Sequence, residues 1–239
     1  MKISVVIPAW NEEQLLPACL ESVRMAFAAR PDVGLEVIVV DNNSTDGTAA
    51  IAEAAGARVV FEEQNQIARA RNAGAAVATG EWLLFLDADS ALSTGLARGI
   101  LTAIKTGDMV ACGSTMHMRG LPWWAHGLMR TWNGVSRLFK WAAGSLLVCR
   151  RDAFRSVGGF SHELYAAEEI DLSRRLKAWG RAKGLRFRIL SRHPLESSPR
   201  KLQLYSRREI FGQFGRLLLH PWRSLQSRTA LGLWYDGRR

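Results

Sequence analysis

The sequence has few cysteines and no long apolar run, and both absences narrow the class of protein. Its 239 residues include three cysteines, Cys19, Cys112 and Cys149, which lie far apart and form no Cys-x-x-Cys pair. This spacing excludes a disulfide scaffold and a cysteine-ligated zinc site, and it predicts buried thiols in a reduced compartment. The apolar run after Met1 is too short for a signal peptide, and no uncharged stretch reaches membrane-spanning length. We therefore expect a cytoplasmic protein.

Basic side chains are sparse over residues 1–149 and concentrated in the remainder of the chain. The net charge is +10, yet residues 1–149 carry 12 basic and 14 acidic side chains, whereas residues 150–239 carry 20 basic and 8 acidic ones. The basic part suits nucleic acid, anionic lipid or a phosphorylated substrate. The alternative is a solvated basic surface that only keeps the protein soluble.

The first 110 residues alternate between short apolar runs and segments with helical periodicity. Predicted strands cover residues 3–8, 35–40, 58–61 and 81–86, and predicted helices cover residues 12–29, 46–55, 66–78 and 94–106. This order is typical of an α/β protein with a mostly parallel central sheet and helices on both faces. In such sheets, ligands bind beyond the carboxyl ends of the strands.

The remaining residues predict further elements of the same domain and a helical tail. An amphipathic helical segment and then a core strand at 144–148 are predicted within residues 121–148, followed by a turn at 158–160, a helix at 168–179 and a strand at 185–190. Residues 201–219 form a predicted basic amphipathic helix. Without repeats or low-complexity linkers, the pattern favours one domain with a C-terminal elaboration.

Polar and aromatic side chains follow three of the predicted strands. Trp10 and Glu12 follow the first strand and can stack on a base and accept hydrogen bonds from a ribose, although Trp10 can also be a core residue. Asp41, after the second strand, can accept the imide proton of a uracil. Asp87 and Asp89 end the buried run at 82–86, where two carboxylates are costly unless a cation lies there. Mg²⁺ and Mn²⁺ prefer such oxygen ligands and share them with phosphates.

Two other groups of charged residues have alternative explanations. Arg71, on the third predicted helix, can face a base or a phosphate, but arginines on helices are mostly solvated. Glu168 and Glu169 open a helix, where carboxylates complement the helix dipole. One of them, if it lies in the crevice, can serve as a general base.

In this order, the segments resemble the family 2 glycosyltransferases of the GT-A fold over about residues 2–180. The matching segments are Val5-Val6-Ile7-Pro8-Ala9-Trp10-Asn11-Glu12-Glu13, Val39-Val40-Asp41-Asn42-Asn43-Ser44-Thr45-Asp46-Gly47-Thr48, Ala70-Arg71-Asn72-Ala73-Gly74, Phe85-Leu86-Asp87-Ala88-Asp89, and Gly158-Gly159-Phe160 with Glu168-Glu169-Ile170-Asp171-Leu172-Ser173-Arg174-Arg175-Leu176. The resemblance implies a GT-A domain over residues 1–198, with a nucleotide-binding half (1–110) and an acceptor half (111–198), before a basic helical tail (199–239).

The resemblance also implies an activity and roles for residues. It implies an inverting, metal-dependent transfer of a sugar from a nucleotide diphosphate, with a UDP-sugar favoured over a GDP-sugar and Mg²⁺ or Mn²⁺ as cofactor. Asp89 would ligate the metal, and Glu169, with Glu168 as second choice, would be the general base. The residues that would contact the nucleoside are Pro8, Ala9, Trp10, Glu12, Asp41 and Arg71, with Asp87 near the ribose.

The chain departs from the family pattern at two of these positions. Trp10 stands where the family usually has tyrosine or phenylalanine, and the pair Glu168-Glu169 stands where Glu-Asp is more frequent. An indole also stacks on a base, so the first change is tolerable. The second moves a base by about one methylene and leaves the choice between the two glutamates open.

Three residues near the end of the domain are further candidates. In several GT-A enzymes a late histidine completes the metal shell, which makes His193 a candidate ligand, with a structural histidine as the alternative. Arg200 and Lys201 can hold a phosphate of the donor or acceptor, or belong to the basic face of a surface helix.

Tryptophans and basic residues are concentrated within residues 121–148. Trp123, Trp124, Trp132 and Trp141 lie there together with Arg130, Arg137 and Lys140. This composition suits the interface of an anionic membrane, so we expect peripheral attachment at the inner face and a lipid-linked or cell-envelope acceptor as one candidate. The alternative is an acceptor-binding flap.

The rival class is a non-catalytic protein. It would be a nucleotide-sugar-binding protein or a basic module for membranes or nucleic acid. Nucleic acid is not expected as a partner, because the acidic strand ends would repel phosphates.

Overall fold

An eight-stranded sheet runs through the computed structural model, which describes residues 1–200 and, beyond them, residues 204, 206, 208, 209, 212, 225 and 226. The strands are β1 (Lys2–Ala9), β2 (Gly34–Asp41), β3 (Arg58–Phe61), β4 (Trp82–Leu86), β5 (Ser90–Ala91), β6 (Met109–His117), β7 (Leu146–Arg150) and β8 (Arg186–Ser197). The helices are α1 (Leu16–Phe27), α2 (Thr48–Ala54), α3 (Ile67–Val77), α4 (Thr94–Lys105), α5 (Trp123–Phe139), α6 (Arg151–Ser156) and α7 (Glu168–Arg181).

The sheet is parallel in its first part and mixed in its second. Its strand order is β3-β2-β1-β4-β7-β6-β8-β5. The pairs among β3, β2, β1 and β4 are parallel, β7 is antiparallel to both of its neighbours, and β8 is parallel to β6 but antiparallel to β5. The parallel βαβ part is as predicted. The second part is more mixed than predicted, because β7 is antiparallel to both of its neighbours. The strand between β7 and β8 in the sheet, β6, was not among the predicted strands.

Helices cover both faces of the sheet, as predicted. Side chains of β1 alternate, with Val5 and Ile7 in a core beneath α1, α2 and α4, and Val6 in a second core beneath α3, α6 and α7. The approach of α3 is so close that a Cβ added at Gly74 would lie 2.4 Å from Val6 Cγ1 and 2.8 Å from Val40 Cγ2. This position therefore needs glycine because of space, and α3 is held firmly against the sheet.

Two boundary features bear on the predictions for the second half. The division predicted between residues 110 and 111 falls inside β6. Lys201 and most of the predicted helix over 201–219 lie outside the described residues. Among the helices that the structure describes, none combines the length and apolarity needed to cross a bilayer.

Candidate active site

The carboxyl ends of β1, β2 and β4 meet at one edge of the sheet. The chain passes from β1 to β2 on one side and later returns to place β4 on the other side of β1. Strand order therefore reverses between β1 and β4, and such a switch point leaves a crevice at the carboxyl ends. The predicted residues after β1, β2 and β4 border this crevice.

Hydrogen bonds join the loops that follow β1 and β2. Asn42 N donates to Ala9 O at 2.8 Å, and Thr45 N donates to the side-chain oxygen of Asn11 at 2.8 Å. Asn11 has a left-handed backbone (φ 53°), which asparagine tolerates better than most residues. The Asp41 carboxylate accepts a hydrogen bond from Ser44 N at 3.0 Å. The two loops therefore form one rigid rim.

The predicted nucleoside residues occupy this rim. Pro8 and Ala9 are buried at the end of β1, where Ala9 pairs in register with Asp41. Trp10, directly after the strand, is partly exposed. Asp41 is largely buried, at 8% exposure. The sheet thus brings together four of the residues that the sequence assigned to a nucleoside.

Glu12 is held by an arginine from the far end of the described chain. Arg200 Nη2 contacts both carboxylate oxygens of Glu12, at 2.8 and 2.9 Å. The segment after β8 also donates a hydrogen bond from Ser198 N to Asp89 O at 3.1 Å. The segment after β8 therefore lies beside two predicted donor residues, Glu12 and Asp89, and the ion pair with Glu12 is the side-chain contact that the structure gives for Arg200.

Carboxylates from two strand ends, after β1 and after β4, act on one buried thiol. The buried thiol of Cys19, on α1, lies 3.6 Å from Asp87 O. Burial raises the pKa of this thiol, and the negative charges of Asp89, Asp87 and Glu12 raise it further. The ends of β1 and β4 therefore supply carboxylate oxygens and negative charge to the same part of the crevice, which suits a cation.

A divalent cation fits the oxygen donors of this crevice. Asp89 lies in the turn between β4 and β5 and is partly exposed, so its carboxylate is accessible from the crevice. Over the described part of the chain, no three His, Cys, Asp or Glu side chains form a ready-made metal site. Mg²⁺ usually binds through one or two carboxylates together with substrate phosphates, so a small protein donor set is the expected one.

Arg71 forms the centre of a buried ionic network. Its Nη1 donates to Glu168 Oε1 at 2.6 Å, and its Nη2 donates to Asp87 Oδ1 at 2.9 Å and to Gly144 O at 2.7 Å. Burial alone would lower the pKa of Arg71, but the charges of Asp87, Glu168 and Glu169 outweigh this and raise it. The side chain is 1% exposed, so it presents almost no surface to a nucleoside.

The two glutamates at the start of α7 have different surroundings. Glu168 is buried and paired with Arg71. Glu169 is partly exposed, and a Cβ added at Gly144 would lie 3.4 Å from its Oε1. Burial of its carboxylate, reinforced by the negative charge of Glu168 and opposed by Arg71, raises the pKa of Glu169 to about 8. A carboxyl group with this pKa can exchange a proton near neutral pH.

The backbone before these glutamates is strained. Ala167, the N-cap residue directly before α7, has φ 60° and ψ 16°, a left-handed conformation that is unfavourable for alanine. Strained residues of this kind are concentrated at functional sites. The strain fixes the direction in which Glu168 and Glu169 leave the preceding loop.

His193 is not brought into a metal-binding group with Asp89. It is exposed and lies where β8 bulges between its pairings at Leu190 and Leu195. Its ring packs on the first turn of α4, where a Cβ added at Gly95 would lie 2.7 Å from His193 Nδ1. Because the bulge directs the histidine towards α4, the contacts favour the structural alternative.

Sequence reasoning did not identify several residues that build the site. Gly144 contributes a carbonyl oxygen to Arg71, and no side-chain pattern marks a carbonyl acceptor. Asn72 forms two hydrogen bonds with the backbone of Phe160, at 2.8 and 2.9 Å, which tie α3 to the loop that leads to Glu168. Both Asn72 and Phe160 lie inside the segments quoted for the family resemblance, and that position was the available signal.

The chain is similar to known glycosyltransferases. Residues 4–155 match the family described as Glycosyl transferase family 2. An uncharacterised glycosyltransferase of Mycobacterium tuberculosis H37Rv is 34% identical over 121 residues, which cover 51% of this chain and 52% of that protein. The chain therefore spans about half the length of this relative.

Two solved structures share the fold. The mannosyltransferase PcManGT from Pyrobaculum calidifontis, solved with GDP-Man and Mn²⁺, has a TM-score of 0.68 at 20% identity, over 98% of this chain and 67% of that one. Glucosyl-3-phosphoglycerate synthase from Mycobacterium tuberculosis, solved with Mn²⁺, UDP-glucose and phosphoglyceric acid, has a TM-score of 0.62 at 22% identity, over 93% and 79%. The predicted GT-A fold is confirmed. The family match covers more than half of the chain, and the chain therefore belongs to glycosyl transferase family 2.

Proposed function

We propose that this protein transfers a sugar from a nucleotide-diphosphate donor to an acceptor hydroxyl, with inversion at the anomeric carbon. The observation that carries this proposal is the ionic network around Arg71. It joins Asp87, at the end of β4 where the sugar donor would bind, to Glu168, which directly precedes the candidate base Glu169. A site with donor carboxylates on one side and a carboxyl group of raised pKa on the other has the parts that this reaction requires.

The nucleoside would lie on the rim formed after β1 and β2. Trp10 would stack on the base, Asp41 would accept its imide proton, and Asp87 would contact the ribose. Glu12 would contact the ribose once Arg200 releases one of the two carboxylate oxygens of Glu12. Of the two neighbours described above, one contains GDP-Man and the other UDP-glucose, so both donors belong in the test.

Asp89 would hold Mg²⁺ or Mn²⁺ together with the donor diphosphate. When bound, the cation neutralises charge on the departing nucleoside diphosphate. Arg200, which lies at the same end of the crevice on Glu12, would give a second positive charge to the diphosphate. Lys201 follows it in the sequence and would support the same contact.

Glu169 would remove the proton from the acceptor hydroxyl. As the O–H bond breaks, the hydroxyl oxygen forms a bond to the anomeric carbon, and the bond from that carbon to the diphosphate oxygen breaks. The electron pair leaves with the nucleoside diphosphate, and the proton remains on Glu169. Glu168 is less suited to this role because its Oε1 already accepts a hydrogen bond from Arg71.

A panel of UDP- and GDP-sugars, with Mn²⁺ or Mg²⁺, tests this proposal. The expected result is metal-dependent release of nucleoside diphosphate from at least one donor. Tight binding of a nucleotide sugar without release, in the presence of candidate acceptors, would favour the alternative of a non-catalytic nucleotide-sugar-binding protein. Neither binding nor release would contradict the proposal.

We further propose that the acceptor is lipid-linked and is met at the cytoplasmic face of an anionic membrane. Among the described residues, four of the seven exposed large apolar side chains lie on α5, including Trp123 at 78% and Leu138 at 74% exposure. At 3.6 residues per turn these two lie about 60° apart on the helix, and Leu128 and Phe139 extend the same face to about 160°. The outer side of α5 is therefore apolar.

Basic residues border this apolar face of α5. Arg130 and Arg137 are exposed, Lys140 follows the helix, and the helix contains no aspartate or glutamate. The opposite side is attached to the domain through Asn133, whose side chain bonds to both N and O of Met116 at 2.9 Å. A fixed helix with an apolar outer face and a basic border suits the interface of an anionic bilayer.

Flotation with phosphatidylcholine vesicles, with and without phosphatidylglycerol, tests the membrane contact. We expect binding only to the anionic vesicles, weakened by high salt, by Arg130→Glu with Arg137→Glu, and by Trp123→Ser with Leu138→Ser. Met25→Ser, which changes an exposed apolar residue on α1, is the matched control and should bind as the wild type does. Equal flotation of all variants, or none by the wild type at low salt, would contradict the membrane contact.

A further inference from the structure

We propose that Arg71 is a positioning residue that sets the spacing between the donor-side carboxylate and the start of the helix that carries the base. This inference deepens the proposed function and depends on it. It assigns to Arg71 a role within the protein in place of the nucleoside contact that the sequence suggested. The role is distinct from that of a catalytic residue, because Arg71 acts through the carboxylates it holds.

The guanidinium group connects three separate segments of the chain. Nη2 contacts Asp87 at the end of β4 and the carbonyl oxygen of Gly144 before β7, and Nη1 contacts Glu168 at the start of α7. Asp87 and Glu168 are 81 positions apart in the sequence. Because a guanidinium is planar and its donors have a fixed geometry, these contacts define the distance between the two carboxylates.

The arginine is itself fixed from α3. Its guanidinium carbon lies 5.2 Å from the centroid of the Phe160 ring. The backbone of Phe160 forms two hydrogen bonds with Asn72, the next residue of the same helix: Phe160 O accepts one from Asn72 Nδ2, and Phe160 N donates one to Asn72 Oδ1. Since α3 cannot move relative to the sheet at Gly74, the position of the guanidinium is determined before any ligand arrives.

Two observations separate this role from simple core packing. The Nε–H of Arg71 is buried and has no hydrogen-bond partner among the described residues, which costs stability. Local rules are broken in this way mainly where a side chain serves a site. Arg71 is also a cation that lies among the carboxylates of Asp87, Glu168 and Glu169. Its loss would therefore move the start of α7, which carries the candidate base, and would change the charge around that base.

Arg71→Met and Arg71→Lys, compared with the control Arg69→Met, test the inference. Arg69 lies two residues away on α3, where its Nε donates to the Gln66 side chain at 3.1 Å. We expect Arg71→Met to lower kcat about 100-fold, as misplacement of a reacting group by about 1 Å can do, while the Kd for the donor nucleotide with Mn²⁺ changes by less than about tenfold. Arg71→Lys should restore part of kcat, because lysine keeps the charge but makes fewer simultaneous contacts. Arg69→Met should behave as the wild type does.

The pH dependence of kcat/KM gives a readout that a purely structural role would not change. Arg71 opposes the rise in the pKa of Glu169, whose other charged neighbours are Glu168 and Asp87. Its loss should therefore move the acid limb of the profile to higher pH. Circular dichroism and thermal unfolding establish that each variant is folded. Should Arg71→Met fail to fold, Arg71→Lys carries the test through kcat and the pH profile.

Three results would overturn the inference. The positioning role would be excluded if Arg71→Met folds and has the kcat and pH profile of the wild type. If only Arg71→Lys folds, the same result for that variant would exclude it. A variant that loses donor affinity with unchanged kcat would restore the nucleoside contact. An equal fall in kcat for Arg69→Met would show a general effect of changes in α3. Failure of the proposed function is distinguishable, because the wild type would then release no nucleoside diphosphate.

Discussion

At the residue scale, Glu169 is the group whose chemistry depends most on its surroundings. Burial and the charge of Glu168 disfavour its ionised form, and Arg71 limits the effect. A base with an ordinary carboxyl pKa would be ionised at neutral pH but would be a weak proton acceptor. If Glu169 is the base, as proposed, its raised pKa brings it closer to neutral pH, where general-base catalysis is most effective.

The pH dependence of kcat/KM follows from this pKa. The base acts in its deprotonated form, and the pKa of Glu169 is about 8, so the active form is lost as the pH falls below 8. We expect kcat/KM to fall about tenfold per pH unit between pH 7 and 6 and to level off above pH 8. The measurement is the initial rate of nucleoside diphosphate release at low substrate concentration. A profile that is flat from pH 6 to 8 would exclude Glu169 as the titrating base.

Amide substitutions distinguish the two glutamates. Glu169→Gln should lower transfer about 100- to 10,000-fold, the usual contribution of a general base, and should leave donor affinity by calorimetry close to that of the wild type. Glu168→Gln keeps an oxygen for the hydrogen bond from Arg71 and should retain more activity than Glu169→Gln. An active Glu169→Gln together with an inactive Glu168→Gln would reverse the assignment.

Carboxylates at strand ends were predictable, whereas the role of Arg71 was not. Apolar runs precede Asp41, Asp87 and Asp89. The end of each run marks the end of a strand, and it therefore also marks the sheet edge at which the carboxylate lies. The partners of Arg71 include a glutamate 97 positions away and a backbone carbonyl. No periodicity encodes such contacts, because they depend on how α3 and α7 pack on the sheet.

At the scale of elements, α3 is where packing and the site are most closely linked. The helix carries Arg71 and Asn72 and lies on β1 and β2 without room for a side chain at Gly74. Most helices and the first four strands were predicted to within about four residues, but β8 continues seven residues beyond the predicted strand over 185–190, and β5 was not predicted. β6 was missed because Gly113-Ser114-Thr115 interrupts its apolar pattern, and the bulge that places His193 against α4 has no signal in the sequence.

A pair of glycine substitutions tests the packing of α3. Alanine at Gly74 would place its Cβ 2.4 Å from Val6 Cγ1, so we expect Gly74→Ala to lower the free energy of unfolding by about 1–3 kcal/mol through overpacking. Alanine at Gly127, in the middle of α5, would meet nothing within 4 Å and should raise stability by about 0.5–1 kcal/mol. Urea denaturation measures both. A Gly74→Ala variant as stable as Gly127→Ala would contradict the close approach.

At the scale of the whole molecule, the crevice and the outer face of α5 differ in their chemical character. The crevice gathers carboxylates, two of which pair with Arg71 and Arg200, and this mixture of charges suits a phosphorylated donor with a divalent metal. The face of α5 is apolar with a basic border, which suits a lipid surface. The composition of residues 121–148 predicted an amphipathic helix, but the exposure of its apolar side required the three-dimensional structure, because an amphipathic helix can bury either side.

The central claim is that Asp89 and the neighbouring strand ends bind a nucleoside diphosphate together with a divalent cation. Calorimetric titration of UDP and of GDP, with and without Mn²⁺, into the wild type and Asp89→Asn tests it most directly. We expect Mn²⁺ to strengthen binding of at least one nucleotide at least tenfold in the wild type and to have almost no effect on nucleotide binding by Asp89→Asn. Equal strengthening by Mn²⁺ in both proteins, or no nucleotide binding by the wild type, would contradict it.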